Sequence, residues 1–287
     1  MLAAEEAEVP RAREYAEATG GVEHDTRADP WLADDLAAGF LVEGGYMLDP
    51  LGATSAMAQA ARAAGAEFLL GCEAKQVLIS GGRVTGLDTD AGPIATERVV
   101  VATGPRARFL LRSVGIDLPV AASRGWLLET GPVPEPPPYA IEQAAWPLQS
   151  EMGAVTADRT LGEIAAGAEE PGLVSLLLGP RPAGQLVIGT SLRVSRSEEP
   201  ESPETVRLLA ERAVRVAPHL RGVTVTATWS GRRAMTPDGL PAVGPVPGVE
   251  GLEVASGFSS IGMVTIPAAC RRFVAGGDER FDPARLL

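Results

Sequence analysis

Residues Trp229 to Met263 read WSGRRAMTPDGLPAVGPVPGVEGLEVASGFSSIGM. The stretch opens as an arginine-bearing strand, turns tightly, continues as a hydrophobic strand and ends in a glycine–serine loop. The turn is Thr236-Pro237-Asp238-Gly239. Proline presets φ at the second position, aspartate bonds its own backbone, and glycine accepts φ > 0. Pro241, Pro245 and Pro247 then interrupt regular structure. Gly251–Gly257 (GLEVASG) is a short apolar strand ending in glycine. Ser259, Ser260 and Gly262 follow, and Pro267–Phe273 is expected to begin a helix. A strand, a small-residue loop and a helix N-terminus form a place where backbone N–H groups point at an electron-rich ligand. An ordinary strand-to-helix connection has the same pattern, so these residues alone leave both readings open.

Outward from this stretch, the chain alternates compact signals. Residues 3–18 are Ala-rich with interspersed Glu and Arg and are expected to be helical, with another short helical turn at Trp31–Leu36. Residues 51–65 (LGATSAMAQAARAAG) carry small and apolar residues at helical spacing, with Gly65 as the stop. Glu67–Leu70 is expected to be a strand. Gln76–Ile79 and Val84–Leu87 flank Ser80-Gly81-Gly82, a hairpin signal, and Pro93–Thr96 leads into an apolar strand over Arg98–Ala102. Residues 131–138 (GPVPEPPP) form a proline-rich surface connection. From Gly125 to Trp229 strand-like segments alternate with turns. One helix, Glu204–Val216, intervenes, with Leu208, Leu209, Ala213 and Val216 on one face. This part reads as an antiparallel sheet with a helix on it.

The 287 residues are enough for one large or two ordinary domains. A 45% hydrophobic and 22% charged composition is that of an ordinary globular chain. The net charge of -12 argues against nucleic acid or anionic membranes as partners. Cys72 and Cys270 show neither C-x-x-C nor zinc spacing and read as two reduced, buried thiols. The amino end lacks an apolar signal region and no apolar run approaches a membrane span, so a cytoplasmic location is expected. No metal or Ser-His-Asp constellation stands out. Of the two histidines, His24 and His219, the latter lies at a helix end and reads as structural.

The pattern W-x-G-x-R-x-x-T-P-D-G-x-P-x-x-G-P, followed by V-A-x-G-F-S-x-x-G-M, resembles the carboxyl end of the D-amino-acid oxidase (DAO) family of FAD-dependent oxidoreductases. That family includes the glycine oxidase and sarcosine oxidase types, and the GFS form is closest to the sarcosine oxidase β-subunit type. Glu97–Gly104 (ERVVVATG) and Val42–Pro50 (VEGGYMLDP), with Gly65-Ala66-Glu67-Phe68, match in the family's order. The resemblance covers most of the chain from about residue 40 onward. It implies an α/β (α+β) fold: an incomplete FAD-binding, Rossmann-like domain over 48–120 and 236–287, interrupted by an antiparallel-sheet substrate domain over 121–235. Residues 1–47 form a helical segment belonging to the substrate or interdomain region.

No G-x-G-x-x-G fingerprint occurs in the chain, although the family's first βαβ unit carries one to cradle the pyrophosphate. Three explanations are weighed: a truncated gene, a partner chain supplying the unit, or a degenerate non-catalytic chain. The completeness of the remaining motifs favours truncation.

By resemblance, Ala102, Thr103 and Gly104 pass the FAD pyrophosphate or ribose, and the backbone of Ala74 meets the adenine. Arg124-Gly125 lies near the flavin ring, and Gly231 opens the arginine pair. Gly257, Phe258, Ser259, Ser260, Ile261, Gly262 and Met263 cover the isoalloxazine. Arg233 matches the residue that clamps the substrate carboxylate, a task suited to a planar, always-charged fork. Two departures stand out: Arg233-Ala234 where the family has R-P, and Ile261 where it commonly has histidine. The implied activity is oxidation of the C–N bond of a small amine or amino acid, by hydride transfer from Cα to the flavin and hydrolysis of the imine. Oxygen or another acceptor would reoxidise the cofactor. The alternative is a non-catalytic subunit or scaffold of a heteromeric flavin oxidoreductase.

Overall fold

The computed structural model describes residues 1–45, 47–144, 173–194 and 203–287. Tyr46 of the Val42–Pro50 motif lies outside them. In chain order the elements are β1 (Leu2–Ala3), α1 (Val9–Thr19), β2 (Val22–Glu23), β3 (Ala38–Leu41), α2 (Pro50–Ala63), β4 (Ala74–Ser80), β5 (Arg83–Thr89), β6 (Ile94–Ala95) and β7 (Val99–Val101). There follow α3 (Ala107–Arg112), β8 (Ala121–Thr130), β9 (Ile141–Glu142), β10 (Leu173–Pro180), β11 (Leu186–Val194), α4 (Pro203–Val216), β12 (Val225–Met235), β13 (Ala242–Pro245), β14 (Leu252–Ser256) and α5 (Gly262–Val274). The described residues fall into two compact units. The first takes those of Met1–Met47, Arg124–Leu148 and Gly167–Gly231, the second those of Leu48–Ser123 and Arg232–Leu287.

The first unit holds a five-stranded sheet in the order β12-β8-β11-β10-β9, and a small antiparallel sheet β1-β3-β2. Strands β9, β10 and β11 pair antiparallel, with Leu178 opposite Ile188 on one side and Ile141 on the other. Leu209, Ala213 and Val216 of α4 recur at helical spacing and are buried in a core with Trp126, Leu128, Leu176, Leu178 and Ile188. Burying a face of that kind removes roughly 25 cal/mol of unfavourable hydration per Å². Trp31 packs edge-on to His219 at 4.2 Å between ring centroids, which gives that histidine a packing role.

The second unit contains the antiparallel hairpin β4-β5 extended by β6, and a three-stranded sheet β13-β14-β7. Ser80 faces Arg83 across the hairpin turn, and Gly81 and Gly82 both take positive φ (58° and 77°). That is the left-handed pair a two-residue hairpin loop needs. Strands β7 and β14 run parallel despite the long insertion between them. Val77, Val99, Val101, Leu111, Leu118, Leu252 and Val254 make the core.

Five sequence expectations are corrected. Glu67–Leu70 is irregular and largely exposed, because no strand among the described residues lies alongside to complete a ladder. Trp31–Leu36 is a run of turns rather than helix, and the expected helix over 3–18 begins only at Val9, after β1 and a 3-10 turn at Glu6–Glu8. The last helix starts at Gly262, so that Pro267 falls inside it. Cys270 is exposed rather than buried, on the outer face of α5, and Cys72 is half-buried.

Candidate cofactor and substrate site

Three valines in succession form β7, and Leu252, Val254 and Ser256 alternate inward along β14. The pair is in parallel register, with Val99 opposite Leu252 and Val101 opposite Val254. Ligands of open α/β sheets bind outside the carboxyl ends of such strands. Both strands leave the sheet through a left-handed glycine. Gly104 has φ 56° and Gly257 has φ 82°. Where the backbone ladder stops, the buried Ser256 hydroxyl donates to the carbonyl of Gly104 at 2.8 Å and ties the two turns together. After Gly104 comes a 3-10 turn and α3. After Gly257 come Phe258, a 3-10 turn at Ser259–Ile261, and α5.

Close packing fixes the second loop. A Cβ on Gly257 would lie 2.6 Å from the Thr236 methyl, so neither its φ nor its surroundings admit a side chain. Ser259 is buried with φ 52°, and its hydroxyl donates to the sulfur of Met235 at 3.1 Å. Met235 ends the strand that carries Arg233, so the loop and that strand end share a contact. Ser260 and Ile261 are exposed, Phe258, Gly262 and Met263 half-buried. Ile261 caps α5 without a side-chain bond, and the 3-10 turn at Ser259–Ile261 runs directly into the helix.

Arg232 is exposed and Arg233 half-buried, as side chains on opposite faces of a strand would be. Burial lowers the Arg233 pKa from its usual value by desolvation. A guanidinium still keeps its proton at physiological pH. The following turn is held by Thr236 Oγ1 to the Leu240 carbonyl at 2.6 Å and by the Leu240 N–H to Asp238 Oδ1 at 3.1 Å. Arg285 closes it, reaching Asp238 Oδ2 at 2.6 Å and the Leu240 carbonyl at 2.7 Å. Burial works against the Asp238 charge, but Arg285 and the Leu240 N–H prevail and lower its pKa.

Ala74 begins β4, and its neighbour Glu73 pairs with Arg106 at 3.2 Å, linking the hairpin to the turn that follows Gly104. The second unit therefore holds Ala74, Ala102, Thr103, Gly104, Arg233 and Gly257–Met263. Arg124, Gly125 and Gly231 belong to the first unit. There the Arg124 guanidinium lies 5.9 Å from the Trp126 ring centroid, Gly125 is buried, and Gly231 is exposed with open space around it. Sequence reasoning passed over Ser256, Met235 and Arg285. For Ser256 a signal existed: a hydroxyl at an inward position of an apolar strand needs a partner. Among the described residues there is no cluster of metal-ligating side chains, and no helix is long and apolar enough to cross a membrane.

Residues 1–275 match the family model described as FAD dependent oxidoreductase (DAO). A glycine oxidase of Pseudomonas putida is 30% identical over 212 residues, which cover 71% of this chain and 48% of that enzyme. A D-amino acid dehydrogenase of Rhizobium rhizogenes is 29% identical over 266 residues, 91% of this chain and 57% of the dehydrogenase. The chain thus spans about half the length of the curated relatives it matches. Among solved structures, glycine oxidase from Geobacillus kaustophilus superposes with a TM-score of 0.79 at 23% identity, over 100% of this chain and 74% of that one. L-proline dehydrogenase from P. horikoshii superposes at 0.77 and 22%, over 99% and 75%. With a family model matched along nearly its whole length, and with paired glycine turns at the ends of adjacent parallel strands, the chain belongs to the DAO family of FAD-dependent oxidoreductases.

Proposed function

We propose that the chain is part of an enzyme that oxidises the C–N bond of a small amine or amino acid carrying a carboxylate. The observation that carries this reading is the joined pair of turns at Gly104 and Gly257, with Arg233 on the strand whose last residue holds Ser259. The residues fit FAD: each turn carries a left-handed glycine where a nucleotide must approach closely, and no side chain caps the N-terminus of α5. Ala102, Thr103 and Gly104 would hold the pyrophosphate or ribose, the Ala74 backbone the adenine, and Gly257–Met263 the flavin. When bound, FAD would take the electron pair and hydrogen leaving the substrate carbon. Arg233 would anchor the carboxylate and so orient that carbon. The relatives named glycine oxidase and D-amino acid dehydrogenase support an amino-acid substrate.

The rest of the relatives' length, on the same polypeptide or on a partner chain, would cover the apolar surface of α2 and Leu69–Leu70. That exposed surface is also what favours the second reading, a non-catalytic subunit within a larger flavin oxidoreductase. FAD titration followed by visible absorbance, with steady-state kinetics of Arg233 variants, separates the two. A charge-assisted pair contributes about 1.5–3 kcal/mol. Arg233→Ala should therefore lower kcat/KM about 10- to 150-fold for a carboxylated amine. An amine without a carboxylate should be little affected, Arg233→Lys should recover part of the loss, and Arg232→Ala should be near wild type. Equal losses for both arginines, or on both substrates, remove the clamp. Turnover that stays at background in an FAD-loaded sample supplied with the rest of the relatives' length selects the scaffold.

A further inference from the structure

We infer that Ser256 is a positioning residue that sets the distance between the two cofactor-facing turns, an inference that rests on the FAD reading above. Backbone pairing between β7 and β14 ends at Val101 opposite Val254. Two residues later the chain would be free to splay, because each strand then enters its own turn and its own helix. Ser256 stands at that point. It is 1% exposed, and its hydroxyl spans 152 residues of sequence to the Gly104 carbonyl. On its other side, β14 is held by β13, with Ala242 opposite Ser256. The next residue, Gly257, is packed against Thr236. A Cβ on Gly104 would meet nothing within 4 Å, so the Ser256 hydroxyl rather than close packing at Gly104 joins this turn to β14. Without the hydroxyl, a carbonyl loses its partner at the place where both turns must fit one ligand.

The test uses the full chain with Ser256→Ala, Ser256→Thr and, as control, Ser175→Ala. The control removes a buried side-chain bond of the same kind, Ser175 to the Gln143 carbonyl at 3.2 Å, in the first unit. Without FAD, Ser256→Ala should speed amide hydrogen exchange in both Thr103–Arg106 and Gly257–Met263, and Ser175→Ala in neither. On titration, Ser256→Ala should weaken FAD affinity about 2- to 12-fold, the worth of an ordinary hydrogen bond. Ser256→Thr, which keeps the hydroxyl, should restore it. Unchanged exchange in either turn overturns the inference. So does an equal loss of FAD affinity in Ser256→Ala and Ser175→Ala. If the wild-type chain takes up no FAD at all, as the missing G-x-G-x-x-G fingerprint allows, the exchange data decide the tie by themselves.

Discussion

At Gly257 an added methyl would meet the Thr236 methyl at 2.6 Å, whereas at Gly104 it would meet nothing within 4 Å. Both have positive φ, so Gly104→Ala should cost only the left-handed penalty, about 1–2 kcal/mol. Gly257→Ala should add an overpacking cost of about 1–3 kcal/mol. Thr236→Ser keeps the hydroxyl bond to Leu240 and removes the obstructing methyl, so in the Gly257→Ala background it should return part of that cost. A denaturant double-mutant cycle measures the coupling, and strict additivity would defeat the account. Asp238 gives a second test. Its folded pKa is lowered, so its contribution is full above the ordinary carboxylate range and is lost as pH falls through the folded value. The pair with Arg285 is partly solvated, so Asp238→Asn should cost only about 0.2–1 kcal/mol at neutral pH. The difference from wild type should shrink as pH falls from neutral through the carboxylate range, and a difference unchanged across that fall would assign the cost to something other than charge. The Thr236–Gly239 turn was legible because proline, aspartate and glycine each act within their own four residues. Ser256 and Arg285 were hidden because their partners lie 152 and 47 residues away.

The two 14-residue helices, α2 and α4, are made by different physics. In α4 the apolar spacing seen in sequence becomes a buried stripe, so Leu209→Ala should cost about 2–5 kcal/mol. Helix α2 buries none of its residues. It stands on local devices: the Asp49 carboxylate accepting from the Leu51 and Gly52 N–H groups, Pro50 in the first turn, alanines, and Gly65 at φ 94° beyond the end. Asp49→Ala should therefore weaken α2 by about 0.5–2 kcal/mol. It should speed exchange of α2 amides while leaving the cooperative unfolding midpoint of the chain in place. A midpoint that moves with Asp49 would show that α2 is packed after all. Helices α2 and α4, the hairpin and the strands β7 and β14 were legible, since each is announced by helical spacing, a two-glycine turn or a terminal glycine. Glu67–Leu70 was not, because apolar composition states the willingness to be a strand but not the presence of a neighbour.

For the molecule as a whole, the second unit carries large apolar side chains in water: Leu51 at 77%, Leu70 at 81%, Phe109 at 76% and Val264 at 80% exposure. Where such side chains adjoin they mark surfaces that associate. The double substitution Leu51→Glu, Leu70→Glu should lower concentration-dependent self-association and dye binding, with stability within about 0.5 kcal/mol of wild type. Light scattering and denaturation measure the two, and a large loss of stability would show the side chains to be part of a core. The family was readable because motif order survives an insertion, whereas the exposure of these side chains is not written in spacing or periodicity. The pairing of β7 with β14 has one more consequence, in time rather than in space. At about 5–20 residues per second of synthesis, the interval between Gly104 and Ser256, 152 residues, takes roughly 10–30 s. During that wait β7 leaves the ribosome as an unpaired valine strand, while the sheet of the first unit is assembled from the residues translated in between. The second unit closes last, so a nascent chain released before Leu252 should be a substrate for chaperones and proteases with its first unit already able to fold.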